Sequence, residues 1–210
     1  MSPIDSMKRW FKSSAPDPVS EAAAALPERL KALEREAEMA RLGFRGTPLN
    51  RAGDLCMQAK DSDQALNYYG RAIDAYLNDG HPELARGVAQ KLIRVYPNAV
   101  RTYCTLTWLD LGLGYLADAR THIGGYVAAA RRAGRESQAI PAVKEMAGTF
   151  TDAGFREAAA TALEDLGDRP AAEQIRGGLP KRDAEPPSEE LSERCFEAAR
   201  TTGKKHRDST

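Results

Sequence analysis

The sequence predicts an all-α fold: an α-solenoid of antiparallel helix pairs with flexible N- and C-terminal segments. Three observations predict it. From Thr47 to Arg176 one helical stretch follows another, and each break carries a cap, a proline or a glycine. β-branched residues are few in that region and no period-2 alternation persists, so no sheet is expected. The chain also resembles itself, without a gap, when 47–97 is laid on 101–151.

Residues 1–18 read as a flexible arm, closed by the linker-like run from Ser13 to Pro18. Met7, Trp10 and Phe11 lie there beside Lys8, Arg9 and Lys12, a small basic amphipathic pattern. It suits docking on a partner or contact with a membrane surface, but a disordered start with a stray Trp-Phe pair is the preferred reading. Residues 19–44 hold an N-terminal amphipathic helix, read as 28–42. It begins after Pro27 and stops at Gly43, since proline suits a first turn and glycine the position past the end. Leu26, Leu30, Leu33, Ala37 and Ala40 form a short coiled-coil seam. Two heptads are too few to stand free. The helix is expected to cap the first repeat, with self-association as the alternative.

Residues 45–178 form the repeat domain. Thr47-Pro48, Asp61-Ser62, Gly80-His81-Pro82, Pro97-Asn98, Gly114, Gly134, Gly154 and Asp168 with Pro170 punctuate it, and Gly177-Gly178 closes it. Residues 179–210 are polar, contain Pro180, Pro186 and Pro187, and read as a disordered tail. Inside it, 188–200 has the makings of a turn or two of amphipathic helix, with Leu191, Cys195 and Ala199 in line.

Composition narrows the function. The 210 residues include 30 basic and 30 acidic ones, so no overall positive charge points to nucleic acid. Cys56, Cys104 and Cys195 are odd in number and far apart, which suits a reducing cytoplasm better than a disulfide framework. No signal-peptide core is evident, and no apolar run is long enough to span a bilayer. Richness in Ala and Arg suggests a GC-rich bacterial genome.

No catalytic or cofactor motif emerges. His81, His122 and His206 do not cluster, and no His-x-x-x-His, Cys-x-x-Cys or His-Glu-x-x-His spacing occurs, so no metal is expected. Gly112-Leu113-Gly114 falls between helices and reads as a turn, not a dinucleotide loop. Gly124-Gly125 lies inside a helical pattern and reads as a place of close helix packing. No carboxylate pair stands out for acid–base work. The chain is expected not to be an enzyme.

The internal repeat pairs Leu55 with Leu109, Ala65 with Ala119, Gly70 with Gly124, Ala75 with Ala129, Gly80 with Gly134 and Ala85 with Ala139. These are mostly small residues where helices approach and glycines where the chain turns. The pattern resembles the tetratricopeptide repeat (TPR) family, whose units alternate large and small side chains on two antiparallel helices. The best frame runs over 66–99, with Tyr69, Ala72, Tyr76, Gly80, Ala85, Ala89, Leu92 and Pro97 at the packing positions. Others start at Gly46, Val100 and Arg120, and overlap. Asp110 departs from the pattern, where the family has a large residue, and so does Pro141 near the start of its helix.

The resemblance implies a right-handed superhelix whose concave groove binds a partner segment. It assigns to the groove Thr47, Asn50, Asp54 and Met57 on one helix and Arg101, Cys104, Trp108 and Leu111 on another, with Lys144 on a later one. Trp108 is the candidate anchor, since Trp dominates hot spots, although it also suits plain packing against a helix. Asp54 would repel a carboxylate, so capture of a partner's C-terminus is not expected. The expected function is a cytoplasmic protein-binding adaptor with an unidentified protein or peptide partner. The alternative is a structural subunit that docks through the arm and helix 28–42.

Overall fold

The computed structural model describes residues 18–41, 44–178 and 187–205. Among them every regular element is an α-helix: α1 (Pro18–Met39), α2 (Gly46–Gln58), α3 (Ser62–Asn78), α4 (Pro82–Val95), α5 (Val100–Gly112), α6 (Leu116–Arg132), α7 (Glu136–Thr149), α8 (Ala153–Asp165), α9 (Arg169–Gly177) and α10 (Glu189–Lys205). From α1 to α9 each helix packs on the next. In addition α6 meets α8, and α10 returns to lie on α5 and the edge of α3.

The self-similarity in sequence is also one of structure. Advancing the bounds of α2, α3 and α4 by 54 residues reproduces those of α5, α6 and α7. The turns recur as well. Asp61 N–H donates to the Cys56 carbonyl at 2.9 Å, and Tyr115 N–H to the Asp110 carbonyl at 2.8 Å. His81 N–H donates to the Tyr76 carbonyl at 2.8 Å, and Arg135 N–H to the Ala130 carbonyl at 2.9 Å. Such bonds satisfy the last carbonyls of a helix and need a left-handed residue inside the turn. Gly80, Gly114 and Gly134 supply it, whereas the equivalent of Gly114 in the first turn is Lys60, at φ 61°.

Small residues set the helix spacing. Ala65, Ala85, Ala119 and Ala139 are all wholly buried. Gly125 on α6 lies under the ring of Tyr103, where an added Cβ would stand 2.4 Å from Cε1. The second glycine of the Gly124-Gly125 pair is therefore a packing residue, and Gly124 faces open space.

Helix α5 is the centre of the molecule. Every residue from Cys104 to Gly112 is buried. Apart from Arg101 and Asp110 its sequence carries no charged residue and shows no separate polar face, which suits a helix covered on most sides. Helices α4 and α6 cover part of that surface, and α10 covers more.

Two expectations need correction. Helix α1 runs through Pro27 instead of starting after it. The tail expected to be disordered over 179–210 contains a helix, Glu189–Lys205. Glu189 and Glu190 sit in its first turn, where the positive end of the helix dipole favours them. The Leu191 N–H donates to Ser188 Oγ at 3.3 Å. A polar helix of this length is marginal alone. Burial of Cys195, Ala199 and Thr202 stabilises it. Residues 179–186 and 206–210 lie outside the described residues.

Candidate functional site

The α5 face carrying Cys104 and Trp108 meets α10, which runs antiparallel to it. Pro187 Cδ lies 3.4 Å from where a Cβ on Gly114 would stand, Phe196 Cε1 2.6 Å from that of Gly112, and Thr202 Oγ1 3.9 Å from Cys104 Sγ. Gly112 is thus the point of closest approach, since a Cβ there would also come within 3.0 Å of Cys195 Cβ.

Trp108 is only 3% exposed. With Cys104 it borders a cavity of about 280 Å³, completed by Tyr126 on α6, Gln138, Pro141, Ala142 and Glu145 on α7, and Ala198, Thr201 and Thr202 on α10. Leu111 is wholly buried. Arg101 is half-buried and its guanidinium donates to Asp74 on α3, at the rim of a second, more open hollow between α3 and α5.

The residues expected on α2 lie elsewhere. Lys91 on α4 donates to Asp54 and, at 3.4 Å, to Asn50 Oδ1, and its ammonium stands 4.8 Å from the centre of the Tyr69 ring. The Tyr69 hydroxyl also donates to Asp54, at 2.6 Å. Burial and this bond push the Tyr69 hydroxyl above the usual tyrosine range. Met57 Sδ is 3.6 Å from the Tyr96 hydroxyl. Asn50, Asp54 and Met57 therefore face α3 and α4, while Cys104 and Trp108 face α7 and α10. The overlap of frames explains this, because a three-helix sequence period assigns α2 and α5 the same role while their neighbours differ. Lys144 is exposed and pairs with Asp168 at the start of α9, at 2.6 Å. Its neighbours Pro141, Ala142 and Glu145, with Gln138, are the α7 residues that reach the cavity. Met7, Trp10 and Phe11 lie outside the described residues.

Asp110, the departure from the repeat pattern, is wholly buried and fully engaged. Arg86 Nε donates to its Oδ1 at 2.5 Å, and His122 Nδ1 lies 2.5 Å from Oδ2. Arg86 also donates to Asp118 and lies under the Tyr115 ring, 4.2 Å from its centre. Both oxygens of the carboxylate are occupied, so the group holds α4, α5 and α6 together and is not open to a substrate. His81 precedes α4 and is half-buried. His206 lies outside the described residues. Among the described residues, no group of three His, Cys, Asp or Glu side chains is placed to hold a metal ion. No described helix is long and apolar enough to cross a membrane.

The seam on α1 is spent within the chain. Leu30, Leu33 and Ala37 are buried, α1 packs on α2, and Glu34 accepts from Tyr68 and Arg71 of α3 at 3.1 and 2.8 Å. Those bonds, Arg71 foremost, hold the Glu34 carboxyl below its usual range. Met39 and Phe44 beyond the seam remain largely exposed.

Of the cavity residues on α7 and α10, Pro141 alone is singled out in the sequence, and that as a departure from the repeat pattern. Two signals point toward them: the lack of a separate polar face on α5, which demands an extra cover, and the Leu191, Cys195, Ala199 stripe, which supplies one. Comparisons of the chain with protein-family models, with curated proteins and with solved structures find no match.

Proposed function

We propose that this chain is a non-catalytic, cytoplasmic adaptor of TPR-like solenoid architecture that binds a segment of another protein along the face of α5. One observation carries the reading: the chain's own helix α10 already lies along that face, over Cys104, Trp108 and Gly112. A surface that seats one amphipathic helix has the shape and the apolar character to seat another. The pairing of successive helices, and the recurrence of their bounds and turns, support the solenoid reading. A second reading, a structural subunit docking through its N-terminal segment, draws on the exposed Met39 and Phe44 at the end of α1.

Amide exchange tests the two. The full-length chain is used as bait in native lysate, and exchange is compared with and without the retained partner. Altered exchange on α5, α7 and α10 supports the adaptor. New protection confined to α1 and residues 39–45 supports the second reading. Retention of no protein removes both.

A further inference from the structure

Helix α10 fills its seat incompletely. Among its described side chains the buried ones are Cys195, Ala199 and Thr202, all small, while Leu191, Phe196 and Ala198 are partly buried against the core. Toward α7, Ala198 and Thr201 stop short of Trp108, Tyr126, Pro141 and Ala142 and leave the cavity of about 280 Å³. That hollow, open at the exposed Gln138, Pro141 and Glu145, has more room than leucine adds to alanine. Among the described residues, Arg200 Nε is buried without a hydrogen-bond partner, a further cost of the docked state. The helix is held by proximity as much as by fit. Eight residues, 179–186, join Gly178 to Pro187, and so short a tether gives a local concentration on the order of millimolar.

We propose that α10 is a resident stand-in on the α5 face, and that the face's partner is an amphipathic helix of another protein. It lies antiparallel to α5, with small residues where α10 has Cys195 and Ala199 and bulky apolar residues where α10 has Ala198 and Thr201. The inference rests on the adaptor reading and adds the chemistry of the partner and the reason binding is restrained. Over Gly112 lie the edge of the Phe196 ring and the Cβ of Cys195, so the partner keeps a ring at the first place and a small residue at the second. Bulky ones are required toward Trp108, because filling the void is how a helix in solution outcompetes a tethered one. Release of α10 is the switch that a partner must throw.

The three cysteines supply the readout. Cys104 lies under α10, Cys195 lies on it, and Cys56 belongs to α2; all are buried and none is in a disulfide. Burial pushes the Cys195 thiol up to about 12, which keeps it unreactive while docked. The full-length chain is alkylated with N-ethylmaleimide, and each cysteine is followed by mass spectrometry. Two synthetic peptides serve as probes: residues 187–205 with Cys195→Ala, and the same peptide with Ala198→Leu and Thr201→Leu added. The filled peptide is expected to speed Cys195 alkylation at least about tenfold while Cys104 and Cys56 stay slow. Its half-maximal concentration is expected about tenfold below that of the unfilled peptide. Without peptide, Gly112→Ala is expected to speed both Cys195 and Cys104, because the added methyl lifts α10.

The proposal is overturned if neither peptide changes the Cys195 rate, if the filled peptide is no better than the unfilled one, or if Cys104 opens together with Cys195 when peptide is added. Cys195 protection that grows with chain concentration, with a dimer on a sizing column, makes a second copy the occupant and also overturns it. Failure of the peptides while the chain still retains a cellular partner removes this inference and leaves the adaptor reading. Success of the peptides in a chain that retains no cellular protein shows that α10 can be displaced but removes the adaptor reading, and with it the partner proposed here.

Discussion

Thr202 Oγ1 on α10 stands 3.9 Å from Cys104 Sγ on α5, across 98 residues of sequence. Both side chains are buried. This contact ties the C-terminal helix to the centre of the chain, and it can be converted into a covalent one. Thr202→Cys is expected to form a disulfide with Cys104 under mild oxidation, seen by peptide mapping as an intramolecular link. The bond would close a loop of about 100 residues, for which chain entropy gives at most about 4.7 kcal/mol. The oxidised variant should melt above its reduced form. If no link forms, α10 does not rest where the contact puts it.

The backbone of Lys60 adopts the left-handed conformation at φ 61°, in the turn where the next unit has Gly114 at φ 78°. A side chain there costs about 1 kcal/mol relative to glycine. Lys60→Gly is expected to stabilise the chain by roughly that amount, read as a higher urea midpoint at an unchanged slope. A lower midpoint would show that Lys60 contributes more through its side chain than its backbone costs.

Asp110 joins Arg86 and His122 inside the protein. Asp110→Ala removes a carboxylate from two partners that are themselves mostly buried. Breaking a buried pair in this way costs about 3 kcal/mol or more. In a double-mutant cycle with Arg86→Met the loss should fall well short of the sum of the single losses. Additive losses would show that the pair is not coupled.

Ala85 and Ala139 are equivalent in the repeat and both are wholly buried. Replacing either with leucine is expected to overpack its helix contact and destabilise by about 1–3 kcal/mol in thermal or urea melts. If both variants melt like the parent, the helices are not in the tight contact that the small residues imply.

Cys195 gives stability an alkaline limit. In the unfolded chain its thiol loses a proton near pH 8.5, whereas burial in the folded chain raises that value to about 12. Between these values the unfolded state binds fewer protons than the folded one. The contribution is complete below about pH 8.5 and declines as pH rises toward 12. Tyr69 and Tyr126, also pushed up by burial, act in the same direction at still higher pH. Urea melts are expected to show a midpoint that falls between pH 8 and pH 10 in the parent and falls less in Cys195→Ala. An identical fall in both would exclude the thiol as its source.

Much of the fold is legible in local sequence. The turn signals at Gly80, Gly114 and Gly134, Pro82 after the first of them and the alternation of large and small residues mark the helix boundaries because caps and left-handed turns are local chemistry. The exact repeat of helix bounds is legible for the same reason, since equivalent residues make equivalent turns. The site is less so. Trp108 and Cys104 were singled out, but Asn50, Asp54 and Met57 were grouped with them because they hold equivalent places in the repeat. Equivalence in sequence does not make two helices neighbours.

The sequence by itself determined that this protein is helical, where the helices between Gly46 and Gly177 break and which small residues lie between them, since each of these depends on groups a few residues apart. Only the tertiary structure decided that Lys91 faces Asp54, that Asp110 joins Arg86 to His122, and that residues 189–205 are a helix seated on α5. A polar helix that is marginal alone becomes stable when a distant apolar face covers its stripe. That face is 98 residues away at Thr202, beyond the reach of any local pattern.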